Sequence, residues 1–186
     1  MIKNSRFMRL ALIGGPIGLL LGLLAGLMRM DVFTHSVLNP LALSHGYLMI
    51  NGFLLTVISF ERAVALKTAS AYLVPFSSTF ALFLLLAGQT DASLAVFSFS
   101  AVLFTIVYVR LYFKTRELSV LLMGLGAMLL AIANISIASR EVFSSSLFLL
   151  MGFPLFTILG ERIELSRLSQ VSRLQYVLVV AVTAAF

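Results

Sequence analysis

Six stretches of this chain run for about 20 residues with hardly a charge, and charged residues flank them. A helix rises about 1.5 Å per residue, so each run matches the roughly 30 Å hydrocarbon core of a bilayer. In lipid, a backbone must satisfy its own hydrogen bonds, which leaves helices and closed barrels. Continuous apolar runs of this length select helices. The chain is therefore expected to be all-α: a polytopic transmembrane helix bundle forming a single transmembrane domain over residues 1–186. The expected spans are about residues 9–28, 41–60, 71–88, 94–113, 119–138 and 144–160. A seventh apolar run, about residues 176–186, is too short to cross. A membrane protein ending inside a helix core points to the N-terminal part of a longer chain.

Composition agrees. Hydrophobic residues make up 61% and charged residues 11%, against about a quarter charged in a soluble domain. So few charges cannot coat a water-facing surface. The net charge of +6 does not indicate nucleic acid, because the basic residues sit at the ends of apolar runs rather than on one patch. The first run is too long for a signal peptide and is followed by further spans. There is no cysteine, which removes disulfides, thiolate metal sites and covalent c-type haem attachment. Non-covalent haem stays open. No G-x-x-x-x-G-K, H-E-x-x-H or G-x-S-x-G occurs, so nucleotide, zinc-protease and esterase chemistries have no footing.

Lysine and arginine placement sets the expected orientation. With the N-terminus inside, eleven of the 13 basic residues fall on the inner side, and only Arg29 and Arg140 fall outside. This arrangement puts His45 about one turn below the outer surface.

Chemistry concentrates in HGYLMINGFLLTVISFERAVAL, residues 45–66. At about 100° per residue, His45, Met49, Gly52, Thr56 and Ser59 share a narrow, small or polar stripe. An ionisable group inside a membrane normally faces the bundle and has a partner. A neutral imidazole can ligate haem iron, and a nearby glycine leaves room for a porphyrin. The alternative is a histidine hydrogen-bonded to a neighbouring helix. On the first span, Gly14, Gly18, Gly22 and Gly26 recur every four residues. That stripe suits close helix packing or a flat cofactor lying against it.

The second half of the stretch has a copy 100 residues on, GFPLFTILGERIEL, which repeats Gly52, Phe53, Glu61 and Arg62 as Gly152, Phe153, Glu161 and Arg162. Four intervening spans make this a parallel repeat. A glutamate at a helix C-terminus needs a cation. Crossed pairs, Glu61 with Arg162 and Glu161 with Arg62, are expected as structural clamps. Ser145 stands where the copy would need a histidine. His35, near Met28, Met30 and Asp31, offers imidazole and thioether groups of the kind copper takes, but clusters this loose are common by chance, and an ordinary loop histidine is the better reading. Arg29 and Arg140 could pair with propionates if a haem lies near His45.

His45-Gly46-x-x-Met49 followed by Gly52-Phe53 resembles the second helix of haem–copper oxidase catalytic subunits and the first histidine segment of the NnrS family. Gly160 to Arg167, G-E-R-x-E-L-S-R, resembles a segment of bacterial membrane proteins related to NnrS. The resemblance implies haem ligation by His45, four-helix groups in repeat, and a second axial ligand beyond Phe186. The oxidase copper-site histidine of the sixth helix has no counterpart between Ser145 and Gly160, so oxygen reduction is not implied. The expectation is a multi-pass protein of the bacterial inner membrane. It would bind b-type haem and act in nitric oxide or redox-stress handling, with the bilayer and other membrane subunits as partners. The alternative is a cofactor-free bundle, a small-solute transporter or an assembly subunit.

Overall fold

The structure, a computed structural model, describes residues 5–32, 44–139 and 143–166, with positions 177 and 181. Among these residues there are six long helices and no strand. They are α1 (Ser5–Arg29), α2 (His45–Leu66), α3 (Ala69–Leu86), α4 (Thr90–Thr115), α5 (Leu118–Ala138) and α6 (Phe143–Ser166). All six are long and apolar enough to cross a membrane. Apart from positions 177 and 181, the seventh run lies outside the described residues.

α1, α2, α4 and α6 run past the C-terminal ends of the apolar runs that predict them, whereas α3 stops at Leu86, two residues short. Polar residues at a run's edge keep the i→i−4 ladder until a cap stops it, whereas hydropathy ends with the last apolar residue. α2 ends at Leu66 because Lys67 turns left-handed (φ 53°) and returns its N–H to the Ala63 carbonyl, 3.1 Å away. Glu61 and Arg62 therefore lie within α2 rather than after it, and Glu161 and Arg162 lie within α6. His45 is the first helical residue of α2, not one turn inside it. Asp31 and Arg116 close α1 and α4 with the same left-handed geometry (φ 54° and 56°). α3 opens with a 3-10 turn, Ala69–Tyr72, and Pro75 falls in the first turn of the α-helical part. A missing N–H costs nothing there.

The chain divides into two compact units, Met1–Phe104 and Thr105–Phe186. In the first, α1, α2 and α3 pack around Ala25, Leu48, Ala81, Leu82 and, from α4, Phe97. Hydroxyls tie the backbones together: Thr79 donates to the Ala11 carbonyl at 3.0 Å and Ser93 to Ala81 at 2.8 Å. In the second unit α5 packs on α6 through Gly126, which faces Phe153 and Phe156, and Gly160, which faces Ser119 and Met123. Of the small residues on α5, Ala127, Ala131 and Asn134 are buried and Ala138 is exposed. The two copies of the repeated segment belong to different units.

Candidate functional site

Local sequence brings α1 and α2 close enough for one imidazole to bridge them. Glycines at four-residue spacing leave a groove along α1, since only a hydrogen stands where a Cβ would be. A Cβ on Gly18 would lie 2.5 Å from the Gly52 carbonyl carbon, one on Gly22 would lie 2.6 Å from Met49 Sδ, and one on Gly26 would lie 2.9 Å from His45 Cε1 and Nδ1. Gly14 meets Thr79 of α3 in the same way. The stripe is covered by α2 and α3, so helix packing occupies the face where a flat cofactor was one expectation. Gly52, expected to make room for a porphyrin, spends its open side on Gly18 and on Leu82, whose Cδ1 lies 3.4 Å from the Cβ position.

His45 is half-buried, and its Nδ1 lies 2.7 Å from the Gly22 carbonyl oxygen. A carbonyl can only accept, so Nδ1 carries the proton and donates. The neutral ring then holds a lone pair on Nε2, which makes no hydrogen bond among the described residues. The backbone thus fixes both the tautomer and the ring plane. The ring also takes up the space over Gly26.

The second half of the expected stripe turns away. Residues Leu48–Leu55 form a π-helix, and each widened turn adds one residue. In a regular α-helix Val57 would sit about 120° from His45. Here it returns to α1, where a Cβ on Gly15 would be 2.7 Å from Val57 Cγ2. Thr56 faces α3 instead. Its hydroxyl lies 2.7 Å from that of Ser78, and Ser78 donates at 2.9 Å to the Asn51 carbonyl inside the π segment. Ser78 has one proton, so Thr56 must donate to Ser78. Ser59 closes the group by donating to the Thr56 carbonyl at 3.2 Å. Asn51, Thr56, Ser59 and Ser78 are all buried. The sequence carried a signal for this group, a helix-period run of hydroxyls, but not for the extra residue that re-aims it.

Two residues beyond His45, Tyr47 meets Phe97 edge-on, with centroids 5.3 Å apart. Among the described residues its buried hydroxyl has no hydrogen-bond partner. Arg29 is the last, exposed residue of α1, three positions beyond Gly26. Arg140 and His35 lie outside the described residues. Glu61 is exposed and Arg62 half-buried in one unit; Glu161 is half-buried and Arg162 exposed in the other. Among the described residues no three His, Cys, Asp or Glu converge on one point. What the geometry offers among the described residues is one oriented imidazole.

The family model described as a domain of unknown function, DUF8744, matches residues 6–186. No curated protein and no solved structure matches the chain.

Proposed function

The chain belongs to the DUF8744 family, and we propose that it is a multi-pass protein of the bacterial inner membrane in which His45 serves as an axial ligand of a b-type haem. The observation that carries this reading is the hydrogen bond from His45 Nδ1 to the Gly22 carbonyl. Ligating histidines characteristically donate their other ring N–H to a carbonyl or carboxylate, which orients the ring and raises its basicity. His45 is held in that way, with Nε2 left as the donor atom. Met49 and Gly52 shape the seam that holds the ring, and Arg29 at the end of α1 is the described cation for a propionate. Arg140 would be the second cation for the propionates. Bound haem supplies iron redox chemistry and a position for a diatomic ligand, which accords with nitric oxide or redox-stress handling and with the resemblance of the His45 segment to NnrS and oxidase helices. The N-terminus-inside orientation, the parallel repeat and the Glu61–Arg162 and Glu161–Arg62 pairs are part of this proposal.

A second reading rests on the filled glycine groove. There the His45–Gly22 bond is only a clamp between two helices, and the protein is a cofactor-free bundle, a transporter or an assembly subunit. The visible spectrum of the full protein from haem-replete cells separates the two. The haem reading expects a Soret band that His45→Ala removes or shifts. A colourless full-length protein rejects haem. An unchanged spectrum in His45→Ala rejects the site.

A further inference from the structure

A separate feature lies at the C-terminal end of α4, in the second unit. Arg110, Lys114 and Arg116 are all exposed, and none is in an ion pair among the described residues. Arg116 follows the helix in the left-handed region (φ 56°), with its N–H on the Tyr112 carbonyl at 2.7 Å. That turn folds its side chain back along the helix. The guanidinium carbon lies 4.9 Å from the centroid of Phe113 and 5.7 Å from that of Tyr112. One face of the guanidinium is thereby held against aromatic rings, and its N–H edge stays available for a planar, bidentate oxyanion. Glu117, the next residue, is half-buried at the start of α5.

An apolar strip runs from this cationic end along the same helix. Phe99, Val102, Ile106, Val109 and Phe113 are all exposed and follow a 3-4-3-4 spacing, so they share one face. The strip runs from Phe99 to Phe113, about 21 Å along the axis. A cationic head above a long apolar track has the shape of a phospholipid, with phosphate at the guanidinium and acyl chain along the strip.

We infer that this end of α4 binds the headgroup phosphate of an anionic phospholipid, with Arg116 as the oriented contact and Arg110 and Lys114 supplying the field. A second copy of the chain fits less well, because it would bring the same three cations to the contact. The inference does not depend on His45 or on haem.

Native mass spectrometry of the full protein, released from detergent with equal amounts of phosphatidylglycerol and phosphatidylcholine of matched chains, tests it. Wild type should retain phosphatidylglycerol preferentially. Each of Arg116→Ala and Lys114→Ala should reduce that preference about five-fold, the value expected for one surface cation. Arg116→Lys keeps the charge and loses the planar fork, so it should fall between. Lys67→Gln, at the end of α2, serves as the control for net charge and should leave the preference intact. The three altered side chains, Lys67, Lys114 and Arg116, are exposed, and circular dichroism checks that the variants fold. The inference is overturned if Arg116→Ala keeps the wild-type ratio, if Lys67→Gln lowers it equally, if inorganic phosphate binds as tightly as the lipid, or if a protein dimer replaces the lipid adduct.

Discussion

His45 and Gly22 are joined by a 2.7 Å hydrogen bond in which the imidazole Nδ1–H donates to a backbone carbonyl of the facing helix. No substitution at position 22 removes that acceptor. The histidine is therefore the end of the contact that mutation can probe. His45→Ala should cost about 1 kcal/mol for the hydrogen bond, plus the packing lost over Gly26. His45→Gln, which can still donate to the carbonyl, should recover part of the thermal stability but no haem spectrum. Thermal unfolding followed by circular dichroism, read beside the visible spectrum, separates clamp from ligand. If His45→Gln keeps a wild-type Soret band, axial ligation by this residue is excluded.

Gly18 on α1 and Gly46 on α2 stand in opposite surroundings. At Gly18 a Cβ would stand 2.5 Å from the Gly52 carbonyl carbon and 2.9 Å from the Phe53 nitrogen. Backbone cannot give way as a side chain can. Gly18→Ala should therefore separate α1 from α2 and destabilise by about 1–3 kcal/mol. Gly46 has nothing within 4 Å of its Cβ position, and Gly46→Ala should be neutral or stabilise by up to about 1 kcal/mol, through helix propensity. Unfolding temperatures of the two variants, measured in one detergent, check the contrast. Equal losses would mean that close approach is not what Gly18 provides.

Ser78 is the hinge of the buried hydroxyl group. Removing its Oγ leaves the Asn51 carbonyl without this donor and the Thr56 hydroxyl without its acceptor. Ser78→Ala should cost about 1–3 kcal/mol. Thr56→Val removes a donor whose loss leaves the Ser78–Asn51 bond standing, and should cost less. Combined with Ser78→Ala it should be far from additive, because the two share one network. A double-mutant cycle on unfolding free energy measures this, and simple additivity would show that the hydroxyls act independently.

Asp31 carries two unfavourable features at once. It sits in the left-handed region at φ 54° and places a carboxylate at the C-terminal end of α1. Both the backbone conformation and the helix dipole oppose it. Asp31→Gly should stabilise by about 1 kcal/mol. Asp31→Asn, which removes the charge and tolerates the left-handed conformation, should give about half of that. A rise in unfolding temperature in the order Gly, Asn, Asp is the expected result, and a loss in Asp31→Gly would assign the carboxylate a partner that outweighs both effects.

The sequence by itself determined that six segments can span a membrane, because span length and hydropathy are properties of each run taken alone. It also located the glycine groove and singled out His45, since both show in local spacing and in the rarity of ionisable groups within apolar runs. The helix limits were less visible: Glu61 and Arg62 end an apolar run but not a helix, whose stop is the left-handed cap at Lys67. Only the tertiary structure decided which faces meet. Nothing in LMINGFLL announces a π-helix, for the extra residue per turn is accommodated by groups on other helices, among them the Ser78 hydroxyl on the Asn51 carbonyl. The widened segment leaves His45, Met49 and Gly52 on α1, as a regular period expects, but brings Val57 to α1 and turns Thr56 to α3. A periodicity of 100° per residue cannot foresee it, because the periodicity assumes the very ladder that the neighbouring helices alter.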